Sequence, residues 1–262
     1  MPRGSPGSKR RRPSARPARR CRDAGVEPTR EGGLLVVAAL ELETRGLLRR
    51  LPPSLRRTLT VRTVGPRAAR LDRLDLPPGP RPSALLVTGL AGGCEPGLAT
   101  GDVILGDPVA VAGPLRREVQ PDPELRRRAV RALDGAGLRY RAGRLLTVDE
   151  VVTGPAEKAR WWRSDGVAAV DMESAHVLDW ARRAGLPALA VRVVADGPGD
   201  EVPAALLGVV GTDGRVRAGT VARLLAHPAL LVPAWRLGRR SRRALESLGR
   251  FMRAFVDMPG EP

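Results

Sequence analysis

Acidic residues follow three apolar runs of this sequence, and their positions suggest proton chemistry. Glu43 comes shortly after the first run, which covers residues 34–40. Asp171 and Glu173 directly follow a later run, and Asp196 follows the run after that. In α/β sheets, ligands bind at the carboxyl ends of the strands, so these side chains would be delivered to one crevice. Such a site could move protons on a substrate that is neutral or that develops positive charge.

Alternating strand-like and helix-like segments are the elements that must position these acids. Continuous apolar runs are typical of strands buried on both faces, and apolar residues three and four positions apart are typical of helices. The predicted strands cover residues 34–40, 58–64, 84–88, 101–111, 144–148, 166–170 and 186–195. The predicted helices cover residues 42–51, 67–74, 123–136, 155–163 and 173–184, and residues 216–256 are predicted as one or two helices broken at Pro228 and Pro233. This alternation predicts a three-layer αβα sandwich around a central mixed sheet, with a C-terminal helical extension.

The N-terminal residues differ in composition from the rest of the chain. Residues 1–30 hold ten of the 45 basic residues against two acidic ones and show no apolar periodicity, which predicts a disordered basic tail over residues 1–32. The tail can be interpreted as a flexible arm, as a contact for nucleic acid or acidic lipid, or as upstream sequence translated from a misassigned start codon. We favour the last interpretation because ordered sequence begins abruptly near Gly33.

Length and composition predict one catalytic domain over residues 33–215, with an Arg-rich helical extension over residues 216–262 packed on it. The apolar fraction of 42% supports an ordinary core. The tail lacks the apolar region of a secretory signal, and no apolar run reaches the roughly 18 residues of a membrane-spanning helix. We therefore expect a cytoplasmic protein, with peripheral contact at the inner membrane face left open.

Four segments together resemble the nucleoside phosphorylase and nucleosidase superfamily. They are Ala39–Glu43, Thr88–Gly93 with Gly101-Asp102, Val170–Ser174, and Val191-Arg192 with Asp196. The resemblance covers roughly residues 34–200 and implies cleavage of the N-glycosidic bond between ribose and a purine. Within the superfamily the chain is most similar to the hopanoid-associated branch, which implies release of adenine from adenosylhopane. A methylthioadenosine or adenosylhomocysteine nucleosidase is the alternative.

The resemblance also implies roles for single residues. Asp196 matches the general acid that protonates N7 of the leaving purine, and Glu43 matches the carboxylate that holds and activates the nucleophile. Glu173 matches the residue that hydrogen-bonds the ribose hydroxyls, with Met172 packed under the sugar. Taken singly, Asp196 is better explained as a turn residue and Glu173 as an acid in the first turn of a helix. Taken together with Glu43 and Arg192, the functional interpretation is favoured.

The nucleophile pocket and the base pocket depart from the family pattern in two places. The resemblance assigns the nucleophile or phosphate pocket to Arg192 and to the glycine-rich loop residues Gly89, Leu90, Ala91 and Gly92. Nucleosidases of the superfamily often carry Ser where Leu90 stands, which leaves open whether water or phosphate attacks. The base pocket is assigned to Val151 and Val152, and Val151 stands where a base-stacking aromatic residue is expected.

Cofactors and partners follow from the same reasoning. The sequence shows no metal-binding cluster, and the reaction needs no cofactor beyond phosphate as an optional co-substrate. A homodimer is expected from the resemblance alone. The helix near residues 230–255 combines apolar residues at helical spacing with many arginines, which fits either a packed surface helix or a helix resting on anionic lipid. Specific nucleic-acid binding is disfavoured because the arginines lack interleaved aromatic residues.

Overall fold

A mixed sheet of eight strands organises the described part of the chain. The computed structural model describes residues 32–74, 80–113, 117–203 and 231–258. The strands are β1 (Leu34–Ala38), β2 (Leu59–Thr63), β3 (Ala84–Gly93), β4 (Val103–Val111), β5 (Glu118–Val119), β6 (Tyr140–Thr147), β7 (Val167–Asp171) and β8 (Ala188–Asp196). The helices are α1 (Glu41–Arg50), α2 (Pro53–Arg56), α3 (Pro123–Gly135), α4 (Pro155–Asp165), α5 (Ser174–Arg183) and α6 (Leu231–Asp257). The predicted α/β architecture with a central mixed sheet and a C-terminal helix is confirmed.

Five of these strands close into a ring. β3 pairs in parallel with β8, β8 pairs antiparallel with β4, and β4 continues in parallel through β6 to β7. The last residues of β3 then pair antiparallel with β7, which completes the ring. β1 and β2 extend the sheet outward from β3 in parallel register. The closure brings the ends of β1, β7 and β8 to the second half of β3.

Side chains of the central strands alternate between two apolar cores, as the two-residue period of a strand requires. In β1, Val36 enters one core, whereas Leu35 and Val37 enter the other. Helices α1, α3 and α6 cover the first core, and α5 covers the second. A smaller apolar cluster lies beneath α4. The same alternation places residue 192 of β8 on the α5 side of the sheet. Asp171, the last residue of β7, and Glu173, just before α5, lie on the same side.

Helix α6 is part of the first core rather than a loose extension. Its buried residues come from the second half of the helix and include Leu248, Phe251 and Phe255. The helix runs through Pro233, which the sequence analysis expected to break it. Among the described residues, no helix is long and apolar enough to cross a membrane.

The glycine-rich segment after residue 88 is strand, whereas the sequence analysis predicted a loop. β3 continues to Gly93 because its final residues gain β7 as a pairing partner, with an irregularity between Ala91 and Gly92. Local sequence reasoning could not anticipate this pairing. Two further predictions were wrong in extent: residues 67–74 form two short 3₁₀ turns, and β6 begins at Tyr140. The predicted tail over residues 1–31, the break at Pro228 and the start of the extension at residue 216 lie outside the described residues.

Candidate functional site

A fully buried guanidinium, that of Arg192, lies at the centre of the acidic cluster. Its Nη2 lies 2.6 Å from Asp171 Oδ2 and 3.2 Å from Glu173 Oε2. Its Nε donates to Ser174 Oγ at 3.0 Å, and its Nη1 donates to the Thr88 carbonyl at 3.2 Å. Burial lowers the pKa of Arg192, but the neighbouring carboxylates raise it more, so the net direction is upward. Arg192 therefore stays charged and balances the acids around it.

Glu173 is held at the beginning of α5 by groups on both sides. Its Oε2 accepts from Arg192, and its Oε1 accepts from the backbone N–H of Arg67 at 3.1 Å. Burial raises the pKa of Glu173 to about 7, since the attraction of Arg192 is partly offset by Asp171 and Glu43. A buried carboxyl that changes protonation near neutral pH can accept a hydrogen bond from a hydroxyl when it is ionised and donate one to a hydroxyl when it is protonated.

Asp171 fixes the end of β7 relative to α5. Its Oδ1 accepts from the Thr147 hydroxyl at 2.7 Å, and its Oδ2 accepts from the backbone N–H of Ser174 at 3.0 Å. The Thr147 hydroxyl also accepts from the backbone N–H of Ala175 at 2.9 Å. Two strand side chains therefore satisfy N–H groups that the first turn of a helix leaves without intrahelical partners.

Glu43 reaches the same cluster from the first turn of α1. Its Oε2 accepts from the backbone N–H of Leu40 at 2.9 Å, which is half of a capping box, and its Oε1 accepts from the backbone N–H of Leu90 at 2.8 Å. Burial raises the pKa of Glu43, whereas Arg192 and the backbone N–H groups act against that shift. A Cβ atom at Gly89 would lie 2.6 Å from Glu43 Oε1 and 2.5 Å from Arg192 Nη1. With its φ of +144°, Gly89 is therefore the residue this contact requires.

Asp196 forms the second part of the site at the end of β8. Its Oδ2 accepts a hydrogen bond of 2.5 Å from Lys158 Nζ. Burial raises the pKa of the Asp196 carboxyl, and the Lys158 ammonium lowers it by less. Asp196 Oδ2 also lies 3.3 Å from the position of a Cβ atom at Gly92. The acid is thus set against the far end of the glycine-rich segment.

The glycine-rich half of β3 separates the two parts of the site. Gly89 contacts Glu43 and Arg192, and Gly92 contacts Asp196. Three residues of extended chain span about 10 Å. The site therefore has an acid at each end of a narrow strip of backbone that carries no side chain at Gly89 or Gly92. An elongated ligand lying along this strip would meet Asp196 at one end and the Glu43–Arg192–Glu173 cluster at the other.

Comparison with known proteins places this site in a family. The sequence model of the phosphorylase superfamily matches residues 71–226, which is more than half of the chain. The chain belongs to the phosphorylase superfamily. The superfamily resemblance predicted from the motifs is confirmed, and Glu173, Arg192 and Asp196 fall inside the matched residues. A sequence search of curated proteins gave no match.

Solved structures show the same superfamily fold. Futalosine hydrolase of Helicobacter pylori is 12% identical, with a TM-score of 0.62 over 87% of this chain and 98% of that chain. The Helicobacter pylori methylthioadenosine/adenosylhomocysteine nucleosidase, solved with an inhibitor, is 12% identical, with a TM-score of 0.64 over the same shares. The Neisseria meningitidis nucleosidase, in complex with methylthio-immucillin-A, is 18% identical, with a TM-score of 0.60 over 86% of this chain and 97% of that chain.

The remaining residues expected in the phosphorylase-superfamily site lie in different surroundings. Leu90 contributes its backbone N–H to Glu43. Val152 is buried in the apolar cluster under α4, against which Met172 also packs. Val151, the other residue expected in the base pocket, is 43% exposed. The structure therefore brings Leu90 to the acids and separates the two valines, one in the core and one at the surface.

Sequence reasoning missed Lys158. The residue lies on α4 and is fully buried, and its ammonium contacts the Asp196 carboxylate. A single lysine in a helix rich in charged residues gives no local signal of burial, because solvated lysines are the rule. Only the packing of α4 across the end of β8 identifies it.

Replacing Arg192 by Gln should destabilise the protein by about 3–5 kcal/mol at pH 8, because buried carboxylates would lose their cation. The pKa of Glu173, already about 7, should rise further. A carboxyl whose pKa is raised on folding costs stability that grows as the pH rises from its unfolded pKa to its folded pKa. A further rise of the folded pKa extends this range upward, so the deficit of the variant should be smaller at pH 6 than at pH 8. Urea unfolding at both pH values measures it.

The matched control is Arg182→Gln, which removes an exposed arginine of α5 that pairs with Asp179. Its effect should stay within about 0.5 kcal/mol at either pH. A pH-independent loss in the Arg192 variant would contradict the charge-balancing role.

Proposed function

We propose that this member of the phosphorylase superfamily cleaves the N-glycosidic bond of a purine nucleoside by hydrolysis. The observation that carries the proposal is the pair of buried acids, Glu43 and Asp196, at opposite ends of the glycine-rich strip of β3. Cleavage of this bond leaves positive charge on the sugar and negative charge on the base. A site with a proton donor at one end and a carboxylate cluster at the other matches that charge separation.

The reaction assigns one proton transfer to each acid. The C1′–N9 bond breaks with its electron pair on the base, and the protonated Asp196 carboxyl gives its proton to N7 of the purine. The oxygen of a water molecule bonds to C1′, and the Glu43 carboxylate takes the proton that this water loses. The products are the free purine and the free sugar, and one water is consumed. Glu173 binds the sugar hydroxyls beside the developing positive charge.

Hydrolysis is favoured over phosphorolysis by the contacts of Glu43. The backbone N–H groups of Leu40 and Leu90, which could bind a phosphate, already donate to this carboxylate. Arg192 already contacts two carboxylates, a hydroxyl and a backbone carbonyl. A phosphate dianion at this point would meet Glu43 at close range, and buried like charges repel strongly. A neutral water molecule meets no such penalty.

The substrate that the sequence resemblance favours is adenosylhopane, from which the enzyme would release adenine. This assignment comes from the similarity of the motifs at Gly89–Gly93 and Val170–Ser174 to the hopanoid-associated branch. A methylthioadenosine or adenosylhomocysteine nucleosidase is the alternative, and two of the similar solved structures are such nucleosidases. Val151 in place of a base-stacking aromatic residue favours a site that does not rely on stacking alone to hold its substrate.

Helix α6 offers a surface for an anionic membrane, where a lipid-linked nucleoside would reside. Val232, Trp235, Arg236, Arg239 and Arg243 are exposed and fall on one face of the helix. By helical periodicity this face is opposite to the buried residues of α6. The Arg239 guanidinium lies 4.8 Å from the centre of the Trp235 ring. A tryptophan among arginines is suited to the interface between lipid headgroups and acyl chains.

Adenine release tests the reaction and the substrate together. Purified protein is incubated with adenosylhopane or with methylthioadenosine, with and without phosphate, and the base and sugar products are followed by mass spectrometry. We expect adenine and a hopane-linked ribose with a hydroxyl at C1′ from adenosylhopane without phosphate. A ribose-1-phosphate product, formed only with phosphate, would contradict hydrolysis, and faster release from methylthioadenosine would contradict the lipid substrate. No adenine from either nucleoside would contradict the proposed function.

Glu43→Gln and Asp196→Asn should each lower kcat by about 10²–10⁴-fold with adenine nucleosides, because each removes a proton-transfer group. Glu41→Gln is the matched control, since Glu41 lies in the same turn of α1 as Glu43 and pairs with Arg45. The control should keep kcat within a few-fold of wild type. Urea unfolding of all three variants separates loss of chemistry from loss of fold. Turnover near the wild-type rate in Asp196→Asn would exclude Asp196 as the acid.

Replacing Arg236, Arg239 and Arg243 together by Gln should weaken binding to phosphatidylglycerol-containing vesicles on the order of 100-fold, at about 1 kcal/mol for each arginine. Sedimentation with the vesicles measures this loss. Arg127→Gln on α3 is an exposed-arginine control and should bind as wild type does. Equal binding of the triple variant, or no binding of wild type, would exclude α6 as a lipid contact.

A further inference from the structure

The ammonium of Lys158 has three acceptors and no exposed surface. Lys158 Nζ donates to Asp196 Oδ2 at 2.5 Å, to the Gly197 carbonyl at 2.9 Å and to the Asp200 carbonyl at 2.8 Å. The side chain is 0% exposed, whereas that of Asp196 keeps 13% of its surface exposed. An ammonium has three N–H donors, so every donor of Lys158 is used by the protein.

We infer that Lys158 is a positioning residue for the general acid: its ammonium holds Oδ2 of Asp196, so that Oδ1 is the oxygen that carries the proton to the base. This inference rests on the proposed function. A charged donor on Oδ2 disfavours a proton on that oxygen. Among the described residues no hydrogen bond occupies Oδ1, so the proton of the acid belongs there. The carboxyl group then has one orientation, and the proton has one position.

The turn after β8 holds Lys158 in this geometry. The backbone N–H of Gly197 donates to Asp200 Oδ2 at 2.9 Å, and Arg240 of α6 donates to Asp200 Oδ1 at 2.5 Å. Two carbonyls of the turn thus point at Lys158 because its ends are tied together and tied to α6. A purely structural lysine would be satisfied by those carbonyls and a water molecule. The direct bond to the acid is the contact that makes Lys158 relevant to the reaction.

Lys158 also opposes the burial of Asp196 without cancelling it. Burial raises the pKa of Asp196, Lys158 and Arg240 lower it, and Asp200 raises it, with a net upward direction. The Cys94 thiol also interacts electrostatically with both members of this pair. Removing the ammonium should therefore raise the pKa of Asp196 further while releasing the carboxyl from its fixed orientation.

Two substrates with different leaving groups separate positioning from general structural damage. Adenine leaves slowly unless N7 is protonated, whereas 4-nitrophenolate leaves from 4-nitrophenyl riboside without protonation. In Lys158→Met, kcat for an adenine nucleoside should fall about 10²-fold or more, while kcat for the nitrophenyl riboside should stay within a few-fold of wild type. In Lys158→Gln, which keeps a neutral donor, kcat for the adenine nucleoside should lie between the wild-type value and that of Lys158→Met. Arg160→Met removes an exposed arginine of the same helix and should leave both substrates unaffected.

The outcomes distinguish this inference from the proposed function. Equal losses on both substrates, or no loss on either, would overturn the positioning role and leave the proposed function intact. Wild type without activity on any nucleoside would contradict the proposed function. Independently of turnover, ¹³C NMR titration of labelled aspartates tests the contact between Lys158 and Asp196, with Asp196→Asn to assign the signal. The pKa of Asp196 should rise by about one unit or more in Lys158→Met, and an unchanged titration would overturn the inference.

Discussion

The ion cluster around Arg192 is the interaction on which the rest of this structure depends. One buried guanidinium contacts Asp171 and Glu173 directly and acts on Glu43 through space. Three carboxylates could not be buried together without it, since an isolated buried charge costs several kcal/mol. Even with Arg192 present the acids outnumber the cation, which is why burial raises the pKa of both Glu173 and Glu43. Glu173, whose pKa is about 7, can therefore exchange its proton near neutral pH.

The closure of the sheet explains why the cluster and Asp196 lie along one strip of backbone. β3 pairs with β1 over its first half, with β8 over nearly its full length and with β7 over its last residues. Each of these partners ends at an acid or leads into one. The glycines of β3 allow those acids to approach the strand, because a Cβ atom at Gly89 would overlap both Glu43 and Arg192. Strand pairing thus sets the position of each acid along β3, and the absence of side chains at the glycines sets how closely each acid approaches the strand.

Part of this arrangement could be predicted from the sequence. The rest could not, because it depends on contacts between segments that are distant in the chain. The apolar runs predicted a strand that ends shortly before Glu43 and strands that end at Asp171 and Asp196, because the hydrophobic pattern of a strand is local in sequence. The continuation of β3 through Gly93 depends on β7, about 80 residues later in the chain, so no local pattern contains it. Lys158 is the clearest omission, since its burial arises from the packing of α4 against the turn at Gly197–Asp200.

Burial raises the pKa of both Glu43 and Asp196, but the two acids differ in what contacts each oxygen. Both oxygens of Glu43 accept backbone N–H groups, which favours the ionised carboxylate that a base requires. Asp196 has one oxygen held by Lys158, and its pKa is nevertheless raised by burial. A cation beside a general acid lowers the pKa of that acid and so opposes its protonation. At Asp196 the increase in pKa caused by burial is larger than the decrease caused by Lys158. The ammonium can therefore fix the geometry of the acid, while burial keeps the net direction of its pKa shift upward.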